Sequence, residues 1–170
     1  MRRIGALLSV VILSYPVGGA RGEDAAAHPL DDNFLIKVAP CEHAQIEIGK
    51  LADKRAASPK VKEFAAQMVQ DHQKCYEKLA ETIKNRKIAV VSGFKKDKQA
   101  DIDRLGKLQG SEFDREFLAY VIKTHQDGIA IFESQVKNGK DAEMRTFADE
   151  GLPKLREHLK QAQELAKTVN

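Results

Sequence analysis

From Asp31 onward, apolar side chains return every third or fourth position along four long stretches, a period that commits the sequence to amphipathic helices packed on one another. The first stretch runs from Asp31 or Asp32, either of which can cap it, to about Ala57, with Phe34, Val38, Cys41, Ile48 and Leu51 on its apolar face. Ser58 and Pro59 restart the chain, because Ser accepts orphan N–H bonds at a helix start and Pro is tolerated at the first helical position. The second stretch carries Val61, Phe64, Ala65, Met68, Cys75, Tyr76, Leu79 and Ile83 and fades near Lys87, before the turn residues Ser92 and Gly93. Ser111 with Asp114 resembles a capping pair opening the third, which presents Phe113, Phe117, Val121, Ile129 and Phe132 and stops at Asn138 and Gly139. Asp141 can cap the last, which carries Met144, Phe147, Leu152, Leu155, Leu159 and Leu165 and contains Pro153, a residue that removes a backbone donor.

The connections decide how these helices pair. Two are tight, which makes antiparallel hairpins, while the link from Lys87 to Ser111 is too long for a turn and contains Ile102, Leu105 and Leu108 at helical spacing. Two hairpins joined by one long crossover is the connectivity of ferritin-like bundles. The expected fold is therefore all-α: a ferritin-like up-down four-helix bundle over residues 31–170, with a short extra helix in the crossover. The absence of tryptophan and the 31% of charged residues suit amphipathic helices sharing one thin core.

Ahead of the bundle, Arg2 and Arg3 precede an apolar run from Ile4 to Leu13 and the small residues Gly18, Gly19 and Ala20, which predicts a signal peptide over 1–20 and an exported, periplasmic or envelope protein. Residues 21–30 read as a mobile leader, so His28 within it is given no role. No other uncharged stretch approaches the roughly 20 residues of a membrane span, so no transmembrane segment is expected in the mature chain. Losing the two arginines takes the formal charge from +3 to +1, with lysines interspersed among acids, which argues against a nucleic-acid partner.

Three histidines stand out, one on each of the last three long helices and each on the apolar face: His72, His125 and His158. A buried imidazole without a partner is costly, so three in one small bundle need polar company. At about 1.5 Å per residue, His72 lies roughly 21 Å past the Ser58 turn, His125 roughly 22 Å before the turn near Lys140, and His158 about 27 Å past it; whether the turns share an end or not, the rings gather near mid-bundle. On the first helix Glu47 is also near mid-height, and Glu133 on the third is the reserve carboxylate. Three imidazoles and a carboxylate from four helices can bind one Zn, Cu or Fe ion. The other reading is a hydrogen-bond network of His, Glu and Tyr120 that fixes helix register. Asp71 and His43 read as surface residues.

Cys41 and Cys75 lie equally far from Ser58 on either side, so a hairpin sets them level and a disulfide is a candidate in an oxidising compartment; two buried thiols are the alternative. No phosphate-binding Gly-rich loop, nucleophile elbow or redox CxxC occurs, and nothing specifies an enzyme.

The segments EIGKLADKRAASPKVKEFAAQMVQDHQK, FDREFLAYVIKTHQDGIAIFE and FADEGLPKLREHLKQAQEL together resemble the exported bacterial family known as domain of unknown function 4142, whose members often carry an outer-membrane label. The resemblance implies a ferritin-like fold and places the family's recurring polar positions at Glu47, His72, His125 and His158; it implies no activity. Di-iron oxidases of this fold use ExxH on two helices, whereas Val69, Ile122 and Leu155 stand three before the histidines here, which disfavours that chemistry. The expected function is an envelope protein binding one metal ion, with a role in metal handling or envelope stress; the alternative is a non-metal structural or protein-interaction module, and an oxidoreductase comes third.

Overall fold

The computed structural model describes residues 28–87 and 96–169. The expected signal peptide, residues 21–27 of the expected leader and the turn at Ser92 and Gly93 lie outside them. Five helices follow in order: α1 (Pro29–Arg55), α2 (Pro59–Asn85), α3 (Lys96–Leu105), α4 (Gly110–Asn138) and α5 (Ala142–Ala166). The four long ones form the bundle, and α3 is the short crossover helix that Ile102, Leu105 and Leu108 predicted, with Leu108 falling just past its end. Among the described residues no helix is long and apolar enough to cross a membrane.

Helix starts depart from the expected caps in an informative way. α1 begins two residues early, at Pro29, with His28 Nδ1 accepting from the Leu30 N–H at 3.4 Å. That releases Asp31 from capping. Its carboxylate is instead fully buried, where it accepts from the Gln135 side-chain amide and from the backbone N–H groups of Lys140 and Asp141, both at 3.2 Å. Asp114 does the same work at the other end of the molecule. It is 2% exposed and accepts from the Ala57 and Ser58 N–H groups at 3.1 and 2.9 Å, while the Ser58 side chain makes no capping bond and α4 opens at Gly110 rather than Ser111. Each tight turn is thus pinned by an aspartate from the opposite hairpin, a buried carboxylate being tolerable only when several N–H groups surround it. Asp141 caps α5 as expected, through the Met144 N–H at 3.1 Å.

These contacts also fix the directions. Asp31 at the start of α1 meets the α4–α5 turn, and Ala56 just past α1 bridges to Gly110 at the start of α4, so the two tight turns lie at opposite ends. Gly110 takes a φ of +65°, a conformation that suits glycine where the crossover enters α4. Leu105 of α3 is completely buried against the α1–α4 end of the bundle, with Ile102 and Leu108 beside it.

The apolar core is in two parts. One contains Ile48, Ala52, Val61, Phe64, Met68, Phe113, Phe117 and Val121; the other contains Leu35, Val38, Leu79, Phe132, Met144, Phe147 and Leu155. Between them on every long helix lies a buried polar residue: Glu42 and Gln45 on α1, His72 on α2, His125 on α4 and His158 on α5. Beside this layer α1 and α2 approach closely at Gly49, where a Cβ would stand 2.5 Å from Val69 Cγ2.

Candidate metal centre

The three histidines meet in the polar layer. Their ring centroids form a nearly equilateral triangle of 5.3, 5.4 and 5.4 Å, and the rings are 1–4% exposed. His72 Nε2 is 3.4 Å from His125 Nε2, which is 3.3 Å from His158 Nδ1, and one nitrogen from each ring lies within 4.8 Å of the other two. Ligands about 2.0 Å from one ion in tetrahedral array stand about 3.3 Å apart. The two spacings to His125 Nε2 match that value.

The outward nitrogens fix which atoms carry protons. His125 Nδ1 donates to the Val121 carbonyl at 2.9 Å; a carbonyl only accepts, so a neutral His125 leaves Nε2 bare. His72 Nδ1 donates to the Glu42 carboxylate at 2.6 Å, and His158 Nε2 to the Asp71 carboxylate at 3.1 Å, leaving His72 Nε2 and His158 Nδ1 bare as well. With all three rings neutral, three lone pairs face one another with no proton among them. Adding a proton to His125 or His158 is resisted. Burial, then the neighbouring His72 and His158, push the His125 pKa down to about 3. Burial foremost, then His72, also lower that of His158, against the pull of Asp71.

A consequence concerns acid stability. An unfolded histidine titrates near 6.5, so between pH 6.5 and about 3 the unfolded chain holds a proton that folded His125 does not. The metal-free protein is accordingly expected to be fully stable above pH 6.5 and to lose about 1.4 kcal/mol per pH unit from this one group as pH falls through that window, with His158 acting in the same direction. Urea unfolding across a pH series checks this, and a flat profile over the window would contradict it.

The predicted carboxylate is elsewhere. Glu47 lies half-exposed and pairs with Lys50 at 2.8 Å, and Glu133 is exposed and pairs with Arg156 at 2.8 Å; neither reaches the histidines. Glu42, five residues before Glu47 and 4% exposed, occupies the layer instead, and as an acceptor behind His72 rather than at the centre. Asp71, read from sequence as a surface charge, orients His158, with Lys154 3.5 Å from its carboxylate. His43 is half-buried, edge-on to Tyr76 at 5.5 Å. Tyr120 is buried and lines a cavity beside the layer.

Cys41 and Cys75 are thiols with no bridge between them. They line different hollows: Cys41 the one between α1 and α4, Cys75 the one between α2 and α5, with Glu42 bordering both. Burial, then the Glu42 carboxylate, push the Cys75 thiol well above its ordinary range, which holds it protonated.

The family model described as Domain of unknown function (DUF4142) matches residues 18–165. The chain belongs to that family. A DUF305 fragment from Deinococcus radiodurans has the same fold, with a TM-score of 0.75 at 13% identity, over 84% of this chain and 98% of that one. So does CopM, solved in a Cu(I)-bound form (TM-score 0.70, 20% identity, 81% of this chain and 96% of that one) and in an Ag-bound form (0.68, 22%, 81% and 95%). No curated protein matches the chain. For this member of the DUF4142 family, the likenesses establish the all-α bundle; the chemistry of its centre rests on its own residues.

Proposed function

We propose that the protein binds one transition-metal ion, copper foremost, through His72 Nε2, His125 Nε2 and His158 Nδ1, and that it serves metal handling in the cell envelope. One observation carries this reading: the inward nitrogens converge as bare lone pairs while every outward nitrogen donates to an acceptor, Glu42, the Val121 carbonyl or Asp71. That is how metal-ligating imidazoles are held, the outer bond fixing tautomer and ring orientation. A network built only to set helix register would instead alternate donors and acceptors.

The donor set narrows the ion. Neutral imidazole suits copper, zinc, iron and nickel, and the two outer carboxylates offset the charge of a divalent ion. CopM has been solved with Cu(I), Cu(II) and silver on this same fold, which favours copper over the others. The basic and apolar opening of the chain supports export.

The test is to purify the mature chain free of metal, equilibrate it separately with copper, zinc and iron, dialyse, and measure metal per chain. One copper per chain is expected; no retained metal with any of the three would overturn the proposal. The outer acceptors refine the expectation. Glu42→Gln and Asp71→Asn should each weaken copper affinity roughly 10- to 100-fold by competition titration, whereas Glu47→Gln and Glu133→Gln should leave it unchanged.

A further inference from the structure

A second feature of the layer has no part in holding the rings. Between α1 and α4 lies a cavity of about 70 Å³ bordered by His72, His125, Gln45, Thr124 and Tyr120, ample for a water or a small anion. Gln45 is 5% exposed. Its amide nitrogen donates to Thr124 Oγ1 at 2.7 Å, and Thr124 spends its own proton on the backbone carbonyls of Tyr120 and Val121, at 2.9 and 3.2 Å. The hydroxyl can therefore only accept from Gln45, which fixes the amide orientation: Oε1 is the remaining end, and it is buried without a partner. A buried carbonyl oxygen left unsatisfied costs about 1–3 kcal/mol, so a donor belongs beside it.

Resting on the metal reading above, we infer that this cavity holds a fourth ligand on the ion, a water or hydroxide, which hydrogen-bonds to Gln45 Oε1. Three imidazoles leave a coordination position open, and two of them, His72 and His125, border this cavity. Gln45 is the acceptor that positions the exchangeable ligand, and Val121 links it to the centre, its carbonyl receiving both the Thr124 hydroxyl and the His125 Nδ1–H. The class of exogenous ligand admitted is thus a small oxygen donor or a small anion that replaces it.

Pulsed EPR of the Cu(II)-loaded chain in deuterated water tests this, with azide as the competing anion. The expected result is a strong deuteron coupling from a copper-bound water, lost on azide addition as an azide-to-copper charge-transfer band appears. Gln45→Leu should retain copper by metal analysis and helicity by circular dichroism, yet lose or reduce the deuteron signal. Copper-loaded wild-type chain with neither deuteron coupling nor azide band would overturn the inference while leaving the trihistidine site standing. Failure of the wild-type chain to load copper would take down both.

Discussion

His125→Asn is expected to take the chain from one retained copper ion to none while leaving its helical content nearly unchanged. His125 is the middle of the three, its Nε2 within 3.4 Å of the inward nitrogens on both other rings, so its loss leaves two imidazoles from different helices with no third donor between them. Asparagine keeps a side-chain N–H able to serve the Val121 carbonyl that His125 Nδ1 now serves, and it removes one of three crowded lone pairs. The apo fold should therefore lose about 1 kcal/mol. Metal analysis after dialysis, paired with circular dichroism, separates the outcomes. Copper retention at one per chain by His125→Asn would place the ion elsewhere, and collapse of helicity would make this a structural histidine.

The largest effect on stability is expected far from the three histidines, at Asp31. Its buried carboxylate accepts from Gln135, Lys140 and Asp141, and replacing it with alanine strands three donors at the α4–α5 turn. Bonds to a charged acceptor are worth about 1.5–3 kcal/mol each and are not additive, so Asp31→Ala should cost about 4 kcal/mol and lower Tm by roughly 10–15 °C. Asp114→Ala should act alike at the other turn, where it strands the Ala57 and Ser58 N–H groups. Thermal and urea unfolding measure both; a change below about 1 kcal/mol at Asp31 would mean the turn finds other acceptors.

The bundle and the meeting of the histidines were legible because both follow from counting. Apolar spacing gave the helices, turn residues gave the hairpins, and rise per residue gave the common height of His72, His125 and His158. The carboxylates were not legible, for one physical reason: each buried acid here looks, letter by letter, like a surface or cap residue. Asp31 and Asp114 sat where caps are expected, yet they reach across to the other hairpin. Glu42 lies off the apolar face that Cys41, Ile48 and Leu51 define. The inward stripe of α1 is Asp31, Leu35, Val38, Glu42, Gln45, Gly49 and Ala52, alternating steps of four and three, and three of its seven members are polar. The tautomer pattern that gives the centre its character depends on atoms no spacing argument reaches.

X-ray absorption at the copper edge of the loaded protein reads the donor atoms themselves. A first shell of nitrogen and oxygen only, at about 2.0 Å, with the outer-shell scattering of three imidazole rings, is expected. A sulfur scatterer at about 2.3 Å would assign the ion to Cys75 or Cys41 instead and contradict the trihistidine centre.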